Sequence, residues 1–213
     1  MNKIASLCNK FMGHIDFKVY TTTVISIFIL IGLIPGIIYL PEQFGYENGI
    51  FENIQMLILF LACGFALKSK SPDNKTFFTF VFLVLTILMI REVNCGRTIF
   101  FPIPGEVNEF YRWNEIKYGW LAHPLFGTYI GLVGIYFLKN KLYLNIINIL
   151  KTYKLPIWNI ILMLIGMTVA LYAEEVAHNA IVEEISELLF YTALTSIIFL
   201  YTQSKDFLTN KKC

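Results

Sequence analysis

Residues 173–191 read AEEVAHNAIVEEISELLFY, five glutamates and a histidine set into an otherwise very hydrophobic C-terminal third. The uncharged run that follows, Leu188 to Tyr201, holds 14 residues. As a helix it is about 21 Å long, against a hydrocarbon core of about 30 Å. To cross, that helix has to take in Glu187 and Glu184. Carboxylates at such a depth are costly unless they face water, a partner or a metal, so they mark a functional-site candidate. The alternative is a short acidic loop in solvent. Glu174 stands four residues and Glu175 three residues before His178, so on a helix either carboxylate shares a face with the imidazole. Glu183, Glu184 and Glu187 repeat the arrangement, with Tyr191 one turn further on.

Working outward, the rest of the chain has the composition of a polytopic membrane protein. It is 56 % hydrophobic and 16 % aromatic with a mean hydropathy of +0.61, outside the range of soluble domains. We expect an all-α bundle forming one domain over residues 1–213, with six spans at about 19–40, 50–67, 76–94, 118–138, 156–176 and 182–201. The first stretch, Val19 to Leu40, is too long for a signal-peptide core and is followed by no small-residue cleavage site. The connections alternate in charge. The N-terminus, Lys68 to Lys75, Lys139 to Lys154 and the C-terminal tail hold 13 of the 17 basic residues, and the other connections hold 12 of the 15 acidic ones. This positive-inside pattern predicts a multi-pass protein of the cell membrane with both termini cytoplasmic. Cys8, Cys63, Cys95 and Cys213 form no CxxC pair, so neither a disulfide framework nor a zinc knuckle is expected. Cys213 stands last, not fourth from the end, so neither is a prenylation box.

In this orientation the three arginines, Arg91, Arg97 and Arg112, all fall outside, whereas every lysine but Lys117 falls inside. Lysines inside are topology signals; arginines outside suit bidentate pairing with a carboxylate or phosphate. Leu142 to Lys154 has helical apolar spacing flanked by lysines, which suits a helix along the inner surface or, equally, a plain loop. Gly32 with Gly36 and Gly127 with Gly131 form two GxxxG pairs that favour close helix contacts, within the chain or between copies of it. Pro35 and Pro124 suggest kinks.

Four spans carry ionisable groups to the same outer depth. The second has to extend through Glu52, the third runs into Arg91, Glu92 and Asn94, the fourth begins with His123 and Pro124, and the sixth starts among Glu183, Glu184 and Glu187. Together these predict a polar cup set into the outer leaflet. On a helix Arg91, Asn94 and Cys95 share one face, and Gly96 would end or loosen that helix and free Arg97 to turn inward. The run Glu47-Asn48-Gly49-Ile50-Phe51-Glu52, then an apolar helix, then Arg91-Glu92, Gly96-Arg97 and TIFFPIPG resembles a group of bacterial integral membrane proteins. In that group an acidic-Gly-acidic start to one helix precedes an acidic, Gly-containing, Arg- or Gln-containing exit from the next. The resemblance covers roughly residues 45–105. It departs from the group at Arg91, where a second carboxylate is common, and at Asn94-Cys95, where Ser-Trp is common. It implies the same polar cup and brings no activity with it.

Three classes of function fit such a cup. The first is an enzyme, a hydrolase or transferase acting on a membrane lipid or lipid-linked substrate. Its candidate catalytic residues are Glu92, Glu175, His178, Glu184 and Glu187, with Arg91, Arg97, His123, Glu52 and Asn94 binding the substrate. In one version Glu175-x-x-His178 presents a carboxylate and an imidazole to a divalent metal, with His123, Glu92 and Glu184 available to complete its shell. In the other, Arg91 and Arg97 clamp a phosphate or carboxylate head group while a glutamate serves as general acid or base. No obvious serine, cysteine or lysine nucleophile is present; Cys95 is more in character as a small apolar residue. The second class is an oligomeric cation channel or transporter with an acidic vestibule. The third is an accessory subunit whose arginine–glutamate pairs lock helices without chemistry. No nucleic-acid partner is expected.

Overall fold

The computed structural model describes residues 14–69, 75–106, 108–204 and 207–208. The sequence features at Lys3, Cys8, Lys10, Lys70, Asn74 and Cys213 lie outside the described residues. The described chain is mostly helical: α1 (Thr21–Tyr39), α2 (Ile50–Leu67), α3 (Lys75–Glu92), the short α4 (Arg97–Phe100), α5 (Ala122–Lys139), α6 (Leu142–Thr152), α7 (Ile157–Tyr172) and α8 (Ala180–Thr202). Two small pairings depart from the all-α expectation. Ile15–Asp16 (β1) runs parallel to Leu155–Pro156 (β2), fastening the segment before α1 to the α6–α7 connection, and Pro102 bridges Phe110.

Among the described residues five helical segments are long and apolar enough to cross a membrane, or six if α3 and its continuation Asn94–Phe100, bent by 56°, form one broken span. The break follows from the backbone. Asn94, Cys95 and Gly96 all have positive φ (44°, 54° and 88°), a left-handed run that no α-helix continues through. Arg91, Asn94 and Cys95 therefore do not share a helical face as their spacing suggested, since the helix has ended at Glu92. Gly96 is the break itself, and beyond it Arg97 starts a new direction.

The last helix, α8, is 23 residues long, about 34 Å. It reaches that length by taking in Glu183, Glu184 and Glu187, and Asn179 caps its start by accepting from Val182 N–H at 3.1 Å. It is also the centre of the bundle, with 67 % of its spanning window buried. Helices α1, α2 and α7 pack directly on it, while α3 packs on α2 and α5 sits outside α3. One core layer joins Leu59, Ala62, Cys63 and Ala66 of α2, Leu85 of α3, and Tyr191 and Ile198 of α8; a second joins Leu162 of α7 to Leu189 and Ala193 of α8. Gly166 sets the α7–α8 distance, for a Cβ there would meet Phe190 N at 2.7 Å and Ser186 O at 2.8 Å. Of the two GxxxG pairs only Gly36 makes a close approach, to Ile185; Gly32, Gly127 and Gly131 face open space. The Leu142–Lys154 stretch is a helix and not a loop: α6 buries Leu142 and exposes Tyr143, Leu144, Ile147 and Leu150.

Candidate functional site

The polar residues gather where α2, α3 and α8 meet. Glu52 lies in the first turn of α2, where the unpaired N–H groups and positive dipole end of a helix favour a carboxylate. The Asn48 N–H donates to it. One turn on, Gln55 is completely buried, and its Nε2 donates to both the Glu184 carboxylate and the Glu184 carbonyl at 2.9 Å. From the end of α3, Arg91 Nη2 donates to Glu187 Oε1 at 2.7 Å, while Nη1 stands 4.0 Å from Glu92 Oε1. The buried Tyr191 hydroxyl donates to Glu92. Glu184, Glu187 and Tyr191 share one face of α8 because three- and four-residue steps stack along a helix. That face looks onto α2 and α3.

Burial is unequal within this network. The Arg91 side chain is 51 % exposed, whereas the side chains of Glu92 and Glu187 behind it are 5 % and 11 % exposed. A guanidinium has five donors, and the contacts to Glu187 and Glu92 leave part of that fork facing outward.

Arg97 belongs to a separate group. Its Nη2 lies 3.5 Å from Glu47 Oε2, its guanidinium sits 5.9 Å from the Phe110 ring, and Asn94, with its amide oriented to suit, accepts from Nη2 at 2.8 Å and Nε at 3.2 Å. Of these, Glu47 and Phe110 border a polar cleft of about 320 Å³ together with Asn48, Thr98 and Glu109. The two arginines expected to clamp one head group thus have different partners, Arg91 on α8 and Arg97 on the α1–α2 connection.

The histidines are not brought to the network. Beyond α7 the chain makes a single π-turn, Ala173–Ala177, and His178 follows in left-handed geometry (φ 48°). Its ring Nδ1 is 3.0 Å from the Glu174 carbonyl, and Glu174, Glu175 and His178 are all exposed. The α-helical step that would place Glu175 and His178 on one face is absent there. His123 is exposed in the first turn of α5, edge-on to Trp113 at 5.8 Å. Among the described residues no group of three or more His, Cys, Asp or Glu side chains is placed to hold a metal ion. Of the sequence candidates, the structure joins Glu52, Arg91, Glu92, Glu184 and Glu187, and adds Gln55 and Tyr191. The signal for both additions was spacing: Gln55 follows Glu52 by three and Tyr191 follows Glu187 by four. No family model matches the chain, nor does any curated protein or solved structure.

Proposed function

We propose that the protein is a hydrolase or transferase of the cell membrane that acts on a membrane lipid or lipid-linked substrate at the Arg91–Glu187 pair. The observation that carries this reading is the half-exposed guanidinium held from behind by two buried carboxylates of different helices. Arg91 offers its outward donors to a phosphate or carboxylate head group. Glu187, in contact with Arg91, takes the proton of the attacking water or hydroxyl as its oxygen bonds to the ester carbon or phosphorus, and returns that proton to the leaving alcohol's oxygen as the ester bond breaks; Glu92 with Tyr191 holds the guanidinium in place. The test is to incubate purified protein with a total membrane lipid extract and follow lipid species by mass spectrometry. A species depleted by the wild type, but not by Glu187→Gln or Arg91→Gln, is the expected result. Indistinguishable lipid profiles for all three proteins overturn the reading.

The topology that goes with it has six spans, α3 and α4 counting as one, with both termini in the cytoplasm and the glutamate cluster toward the outside. Thiols introduced at Glu47, Glu109 and Asn179 then react from outside and one at Asn140 from inside. A thiol at 179 that reacts only from the cytoplasm reverses this assignment.

A second reading, an accessory subunit, is favoured by the pairing itself: Glu52, Glu92, Glu184 and Glu187 each accept from a named donor. In that case Glu187→Gln changes stability and leaves every lipid unchanged.

A further inference from the structure

Next to the polar network, toward the α6 end of the bundle, helices α3, α7 and α8 leave a groove of about 470 Å³. That is within the roughly 300–1,000 Å³ of ordinary ligand sites. Val84 and Leu88 of α3, Met163 of α7, Leu194 and Ile197 of α8 and Ile149 of α6 are among its lining residues. Among the described residues no charged one lines it. Two observations tie it to the network. Leu88 lies one turn from Arg91 on α3, and Leu194 lies one turn from Tyr191 and two from Glu187 on α8, so groove and network are successive layers of the same two helices. Along α3 the lining runs from Phe77 to Leu88, about 16 Å, which is close to half the hydrocarbon thickness and so to the depth of one leaflet.

Any apolar surface of a membrane protein is wetted by lipid, but here a concave strip one leaflet deep ends beside a cation with outward-facing donors. A hydrocarbon chain fits the strip, and an anion at the end of that chain fits the cation. From this juxtaposition we infer that the groove holds one acyl chain of a membrane phospholipid whose phosphate rests on Arg91. The inference builds on the head-group reading above and adds to it the residues that select the hydrocarbon.

The experiment uses the full chain in nanodiscs containing phosphatidylglycerol with a diazirine midway along one acyl chain. Labelled peptides are located by mass spectrometry after illumination. Label is expected to favour α3 around Val84–Leu88 and α8 around Leu194–Ile197 over the exposed Leu132 and Ile135 of α5 by about tenfold, a preference of about 1.4 kcal/mol. Filling the groove from either side, with Val84→Trp or Ile197→Trp, removes that excess, while α5 labelling persists and reports that the protein is inserted. Diacylglycerol carrying the same diazirine shows a smaller excess, and Arg91→Gln brings phosphatidylglycerol down to its level. Equal labelling of groove and α5 in the wild type overturns the inference. So does a groove excess that survives both fillings, or one equal for the charged and uncharged probes. Lipid turnover that persists in groove-filled protein breaks this inference and leaves the enzymatic reading standing. Arg91-dependent groove labelling without turnover does the reverse.

Discussion

The spanning windows around α5 and α8 have the same mean hydropathy, 1.5, yet the first is 6 % buried and the second 67 %. The helix with the buried window, α8, carries three glutamates. In water this would be paradoxical, because burial there follows apolar surface. In a bilayer an apolar side chain has no reason to leave lipid for protein, so helix association is driven by packing and by hydrogen bonds between polar groups. α8 has both, with small or polar residues at Ser186, Ala193 and Ser196 and a carboxylate face that needs partners. Leu125, Leu132 and Ile135 of α5 are exposed, and for such side chains bilayer hydrocarbon is as apolar a neighbour as protein. Hydropathy thus finds spans without ranking them, and polarity marks which span is central.

The largest effect should come from the middle of α8. Leu189 is fully buried between α1, α7 and α8. Leu189→Ala leaves a cavity that helices held by several neighbours cannot close, and should cost about 4 kcal/mol. Denaturation of the detergent-solubilised protein, followed by circular dichroism, measures it. A cost below about 1 kcal/mol would mean that α8 is not the packing centre.

Arg91→Ala comes next, at about 3 kcal/mol. Removing one partner of a buried pair costs about 3–5 kcal/mol because the other charge is left uncompensated. Glu187 is the buried partner here, and the half-exposed side of Arg91 places the effect at the low end, since water can reach the gap. A shift within about 0.5 kcal/mol would make Arg91 a solvated surface residue and remove the basis of the lipid reading.

Glycines permit a test of packing alone. Gly166→Ala forces α7 away from the α8 backbone and should cost about 2 kcal/mol, while Gly131→Ala, which meets open space, should stay within about 0.5 kcal/mol. Equal effects would erase the distinction between the two helices.

These residues also show what the sequence could tell. The apolar helices were legible because charges stop the uncharged runs, and the length a spanning helix needs pointed to the glutamates at the start of α8 as part of it. A break near Gly96 was legible, but the helix was expected to run on through Asn94 and Cys95, and it ends at Glu92 because those two residues have positive φ as well. The glycine that matters between α7 and α8 went unnoticed because it begins no GxxxG; its signal was the small-residue series Gly166, Ala170 and Ala173, all three of them buried. The Glu175-x-x-His178 pairing assumed a continuous α-helix, and nothing in AEEVAHN distinguishes that from a π-turn followed by a left-handed histidine. The partners of Arg91 and Arg97 required the third dimension, since both arginines reach residues more than forty positions away.

The smallest effect is expected on α5, at Leu132. Its side chain is 59 % exposed, and on a lipid-facing surface truncation leaves no cavity, because lipid fills the space it vacates. Leucine and alanine differ little in helix propensity, so Leu132→Ala should change stability by less than about 0.5 kcal/mol. The same denaturation measurement at two protein concentrations makes this small number informative. A cost above about 1.5 kcal/mol that grows with concentration would mean that a second copy of the chain covers this face, with the open Gly127 and Gly131 at the contact. α5 would then be a buried helix of a dimer, and its contrast with α8 would describe the single chain only.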